Sequence, residues 1–154
     1  MILKVEEIGL SLQVEEAFLQ ELVTTGKLYY PNEFGGFLVG YYSEDFRQLN
    51  ITDTILPKTF KATKYRFERS NRGIGKKLKA FYNSIPSKIY VGEWHTHPDN
   101  SSNPSITDFV AINSIINNKA TSISNPILLI IGYTAQTVDF GFYVSFKNKL
   151  YKYE

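Results

Sequence analysis

The chain has 154 residues, no cysteine and two histidines, with 43% hydrophobic residues, 21% charged residues and a formal charge of +2. That length and apolar content suit one folded domain over residues 1–154 and exclude a disordered chain. The lack of cysteine excludes a disulfide framework, a thiolate nucleophile and every cysteine-containing metal site, and two histidines are too few for a three-histidine zinc site. Any mononuclear metal centre therefore needs at least one carboxylate.

Charge is unevenly spread. Between Lys58 and Lys79 nine basic residues face one acid, Glu68, so this stretch carries +8 and the remainder of the chain −6. It reads as a solvated basic face or a docking site for an acidic protein, and nucleic acid is not an expected partner. Glu6 and Glu7 stand where a signal peptide would need an apolar core, and the longest aliphatic run, Ile127 to Ile131, is too short to span a bilayer. The expectation is a cytoplasmic protein with no membrane partner.

In chain order, Ile2 to Ile8 alternates as a short strand, and Leu12, Val14, Phe18, Leu19 and Leu22 recur at helical spacing up to Gly26. Gly35 to Tyr42 and Gln48 to Leu56 are strand-forming runs separated by a polar turn, which predicts an antiparallel pair. Ala62 to Glu68 is a weaker strand, and Gly75 to Tyr82 a short helix ended before Pro86. Ile89 to His97 predicts a strand with Ile89, Val91, Glu93, His95 and His97 on one face and Tyr90, Gly92, Trp94 and Thr96 on the other. Trp94 is expected in the core. Asp99 to Pro104 is a loop, and Ser105 opens a helix with Phe109, Ile112, Ile115 and Ile116 on its apolar side. Pro126 to Tyr133, Val138 to Phe146 and Lys149 to Tyr153 close the chain as three strands. The sum is one α/β domain with a mixed, largely antiparallel sheet flanked by helices.

Both histidines fall in His95-Thr96-His97. On a strand, residues two apart point to the same face with Cα atoms about 6.5 Å apart, so the two imidazoles can converge on one ion. Asp108 follows in Ser105-Ile106-Thr107-Asp108, in the first turn of the helix, from where a carboxylate can reach back to that ion. Taken singly, His-x-His reads as a surface or hydrogen-bonded pair and Ser-x-x-Asp as a capping pair. Joined by seven residues in a chain with no other histidine, they point to His95, His97 and Asp108 as metal ligands with an open fourth position.

His-x-His, seven residues and Ser-x-x-Asp together resemble the JAMM motif of the JAB/MPN zinc metalloproteases. Glu33, in Asn32-Glu33-Phe34-Gly35-Gly36, stands where that family has a glutamate before a glycine-containing strand. Val91-Gly92-Glu93-Trp94-His95-Thr96-His97-Pro98 resembles the short bacterial JAB branch in particular. The resemblance implies an MPN-like (cytidine-deaminase-like) fold and one zinc ion on His95, His97 and Asp108. It makes Glu33 the general base that takes a proton from the attacking water and returns it to the leaving amine, and Ser105 the donor to the oxyanion. Glu93 competes for the base role and is better placed to hydrogen-bond an imidazole.

The resemblance also implies cleavage after the C-terminal glycine of a ubiquitin-like or enzyme-conjugated protein tag. The tail would add as a strand to a sheet edge near Glu33 and His97. Similar proteases are encoded beside E1- and E2-like conjugating enzymes in antiphage systems such as CBASS. Trimming of a ubiquitin-like sulfur-carrier precursor, and a non-catalytic MPN binding module, are the alternatives.

Overall fold

The computed structural model describes residues 1–119 and 123–154. The chain opens with β1 (Ile2–Val5), a 3-10 turn (Glu6–Ile8) and β2 (Leu10–Val14), then α1 (Glu16–Lys27). The predicted first strand is thus cut short at Val5, where the chain turns back through Gly9 to pair β1 with β2. Leu12 and Val14 belong to β2 and not to the helix. They are buried as alternate residues of a strand, a two-residue spacing that passes for the start of a helical pattern when Phe18 follows four residues later.

β3 (Gly35–Tyr42) and β4 (Gln48–Ile55) form the expected antiparallel pair. The single strand predicted from Ala62 to Glu68 is instead a hairpin, β5 (Phe60–Thr63) and β6 (Arg66–Arg69), which forms a two-stranded sheet of its own. Its turn at Lys64 and Tyr65 lacks the Gly and Asn that usually announce one. What holds it is aromatic packing: Phe60 and Phe67 meet the buried Phe34 ring edge-on at 5.1 and 5.5 Å between centroids. α2 (Ile74–Tyr82), β7 (Ile89–Pro98), α3 (Ile106–Asn117), β8 (Ile127–Tyr133), β9 (Val138–Phe146) and β10 (Lys149–Lys152) follow as the pattern predicts.

The large sheet has the order β1-β2-β4-β3-β7-β8-β9-β10, with β2–β4 and β7–β8 parallel and the other pairs antiparallel. Helices cover both faces, as expected of the mixed α/β class. α1 buries Leu19, Leu22 and Val23 in one cluster with Leu38, Trp94 and Leu129. On the opposite face, Ile74, Leu78 and Phe81 of α2 pack on Phe37, Val39 and Ile55, and Ile112 of α3 packs on Leu128 and Ile130. The second face is the one that carries the histidines.

Candidate active site

β7 sits at the centre of the sheet, between β3 and β8, so its backbone is hydrogen-bonded on both sides and its side-chain directions are fixed. Strict alternation fails at one place. The register with β3 shifts between Leu38 and Val39, so that Leu38 faces Gly92 and Val39 faces Tyr90. This bulge puts Val91 in the α1-side core with Trp94, and turns Tyr90 towards Phe37 on the opposite face, reversing the predicted sides of both. Gly92 makes it possible: its φ is +154° and a Cβ there would lie 2.0 Å from the Ile127 carbonyl oxygen. Beyond the bulge the expected alternation holds. Trp94 is fully buried and its indole N–H donates to Thr54 Oγ1 at 2.8 Å.

His95 and His97 point to the same face with their Nε2 atoms 3.1 Å apart. Asp108 Oδ1 lies 2.9 Å from His95 Nε2, and Oδ2 lies 3.5 Å from His97 Nε2. Ligand atoms around a tetrahedral zinc stand about 3.3 Å from one another, and here one ligand atom from each of the three residues lies within 4.8 Å of the others, with the donor types that zinc takes. These three residues form a group that could hold a metal ion. His97 Nδ1–H donates to the Ser101 carbonyl at 3.0 Å, which fixes the ring with Nε2 directed into the site.

Asp108 is delivered by a capping box. The Ser105 hydroxyl accepts from the Asp108 amide, while the Ser105 amide and hydroxyl donate to Asp108 Oδ2 at 2.6 and 2.8 Å. One carboxylate oxygen thus terminates the helix and the other faces His95. Ser105 is solvent-exposed at the rim. Glu33, on the segment entering β3, is 8% exposed, with Oε1 3.9 Å from His97 Nε2. The structure therefore brings Glu33, His95, His97, Ser105 and Asp108 to one place.

Protonation follows from the burial. Desolvation raises the Glu33 carboxyl above its ordinary value, and the neighbouring imidazoles only partly offset it. Burial alone would also raise Asp108, but hydrogen bonds from His95 and His97 prevail and hold it well below the usual carboxylate range. For His97 burial acts downward, and the hydrogen bonds to Asp108 and Ser101 with the charges of Asp108 and Glu33 outweigh it, so its value is raised.

Two expectations need correction. Glu93 does not hydrogen-bond an imidazole: its carboxylate is taken by the Arg69 guanidinium and by the Tyr90 hydroxyl, at 3.1 Å. The bulge brings Tyr90 within reach, and the hairpin supplies Arg69. Nor can a substrate strand add to the large sheet next to Glu33 and His97, because β3 and β7 are interior strands. The strand that borders the site is β6, paired with β5 alone among the described residues. It forms, with α3, the walls of a cleft of about 530 Å³ that contains Glu33, His95, Ser105 and Asp108.

Other contributors leave no mark in the sequence pattern. The loop between β7 and α3 presents its Ser101 carbonyl to His97 only because it packs onto β8. A Cβ at Gly132 would stand 2.5 Å from the Ser101 carbonyl carbon and the Ser102 nitrogen. Asp139 on β9 then accepts from the Ser102 amide at 3.1 Å and from its hydroxyl. A backbone acceptor and a distant aspartate have no spacing signature.

Residues 15–144 match the family described as prokaryotic homologs of the JAB domain. The chain belongs to that family. A curated relative, the CD-NTase/cGAS isopeptidase of Enterobacter hormaechei subsp. hoffmannii (strain UCI 50), is 38% identical over 102 residues, covering 66% of this chain and 56% of the relative. The match thus spans little more than half the length of that relative. Among solved structures, a Desulfitobacterium hafniense protein determined in solution superposes with a TM-score of 0.64 at 16% identity, covering 92% of this chain and 88% of that one, a likeness of fold. Among the described residues of this JAB-family chain, no helix is long and apolar enough to cross a membrane.

Proposed function

We propose that this JAB-family chain is a zinc-dependent isopeptidase that releases a protein tag joined through its C-terminal glycine to a target. The observation that carries the reading is the convergence of two imidazole Nε2 atoms and the Asp108 carboxylate beside a buried, separate glutamate. The isopeptidase name of the Enterobacter relative supports the bond type and a conjugated protein substrate in a CD-NTase context, and the motif's resemblance to the short bacterial JAB branch extends the reading to antiphage defence with E1- and E2-like enzymes as partners.

His95, His97 and Asp108 would hold the zinc, whose Lewis acidity would lower the pKa of a water and polarise the scissile carbonyl. Glu33 acts as the base. Its raised pKa lets it take a proton from the attacking water and hand it to the lysine amine as the C–N bond breaks. The Ser105 hydroxyl turns from Asp108 Oδ2 towards the developing oxyanion. An extended tail lies in the cleft along β6, whose unpaired edge offers main-chain hydrogen bonds, with α3 as the opposite wall.

The test is a trap. Glu33→Gln should keep metal and stall hydrolysis, so that it captures uncleaved substrate from host cytosol for mass spectrometry. Conjugates linked glycine to lysine, released by wild type and spared after chelation, support the reading. Capture of only an unconjugated small protein with a C-terminal extension replaces it with precursor trimming, and an intact partner that wild type leaves uncut replaces it with a binding role.

A further inference from the structure

β6 forms one wall of the cleft, yet it is no part of the large sheet, and its position depends on what ties it down. At the β5 end the Glu33 amide donates to the Thr63 carbonyl at 2.9 Å, and Phe67 packs on Phe34. At the other end, where Phe60 pairs with Arg69 and also packs on Phe34, an ionic tie is added. Arg69, the last residue of β6, crosses to β7, where its guanidinium meets the Glu93 carboxylate and its Cζ stands 5.0 Å over the Phe37 ring. Tyr90 braces Glu93 from the same strand. The pair is largely withdrawn from water, with side chains 31% and 16% exposed, and Arg69 Nε is buried with no hydrogen-bond partner among the described residues. Loss of either charge would leave Glu93 with only the Tyr90 hydroxyl or Arg69 with only the Phe37 ring, so breaking the pair is costly.

Glu93 is two residues before His95 on the same face, but its side chain is spent on the hairpin. We propose that Glu93 and Arg69 are positioning residues: their ion pair latches β6 against β7 at the width an extended substrate segment requires, and takes no part in holding the metal. This rests on the isopeptidase reading for its kinetic consequence, though the latch itself is a property of the free protein. A neutral Gln at 93 retains an acceptor for Tyr90 and removes only the charge. The hairpin should then sample positions away from the cleft, so that substrate is bound less often but turned over normally once bound.

The experiment uses the full chain with Glu93→Gln, Arg69→Gln and the swap Glu93→Arg with Arg69→Glu. The probe is a ubiquitin-like protein joined through its C-terminal glycine to the lysine of a fluorescent peptide. Each single variant should keep wild-type zinc content and a folded circular-dichroism signature, exchange the amides of residues 66–69 faster, and raise KM roughly ten- to a hundredfold with kcat within about threefold. The swap should recover part of the KM and slow the exchange again. Loss of zinc in Glu93→Gln with hairpin exchange unchanged would overturn the proposal and return Glu93 to the metal's surroundings, and unchanged exchange with unchanged KM would overturn it too. Should wild type leave the probe uncut, the isopeptidase reading fails on that probe, and the amide exchange still decides the latch.

Discussion

The β7–α3 corner and the β5–β6 hairpin face each other across one cleft, and they are built in opposite ways. The corner is local: His95, His97, Ser105 and Asp108 lie within one strand, one loop and one helical turn, and the capping box sets where the carboxylate goes. The hairpin is assembled at a distance, by Phe34 beneath it and Glu93 beside it, and its own residues say little about where it lies. The comparison teaches that the chemistry of this site is written in short-range spacing, whereas the shape of its cleft is written in tertiary contacts.

The sharpest way to break that division is to remove a ligand. His95→Ala should lose bound zinc and essentially all hydrolysis, while the hairpin's amide exchange stays as in wild type; metal analysis showing equal zinc in both proteins would remove His95 from the site. Glu33→Gln comes next, with metal retained and kcat lower by about 10²–10⁴-fold, the range of a lost general base. Because the Glu33 amide, not its side chain, holds Thr63, this variant should leave the hairpin in place.

A smaller effect is expected of Ser105→Ala, about 10²-fold or more in kcat if the hydroxyl serves the oxyanion, with about 1 kcal/mol of stability lost with the cap. Thermal unfolding and steady-state kinetics separate the two, and a stability loss with kcat intact would confine Ser105 to the cap.

The smallest effect concerns pH in the chelated protein. His97 is raised in the folded state, so its contribution is full below the ordinary imidazole value and is lost as pH rises through the raised one. Asp108 is depressed, so its contribution is present above the ordinary carboxylate range and vanishes only in strong acid. Glu33, raised by burial, acts in the same direction as His97. The chelated protein should therefore melt a few degrees higher at about pH 5.5 than at about pH 8.5, measured by calorimetry. A flat profile would mean that the site relaxes once the metal is gone.

The same division explains what was legible beforehand. The sheet strands from Gly35 onward, the helix after Ser105 and the grouping of both histidines with Asp108 are visible because periodicity and short motifs encode them, whereas Glu33, far upstream in the chain, joins them only through the family resemblance. Leu12 and Val14 mimic a helical start because two buried residues of a strand match a helical stripe over so short a window. Tyr90 and Val91 change sides because of a one-residue bulge that alternation cannot foresee, and the partner of Glu93 lies in a hairpin whose turn carries no turn residues.

Asp108 divides its labour between two oxygens: Oδ1 faces His95, while Oδ2 caps the helix and lies nearest His97. Asparagine can cap through its remaining carbonyl oxygen but brings no negative charge, and every aspartate codon is one base from an asparagine codon. On the proposed reading, a folded, metal-poor descendant with an intact cleft is thus a single mutational step away. The architecture would make the passage from catalyst to inert scaffold short, and the way back equally so.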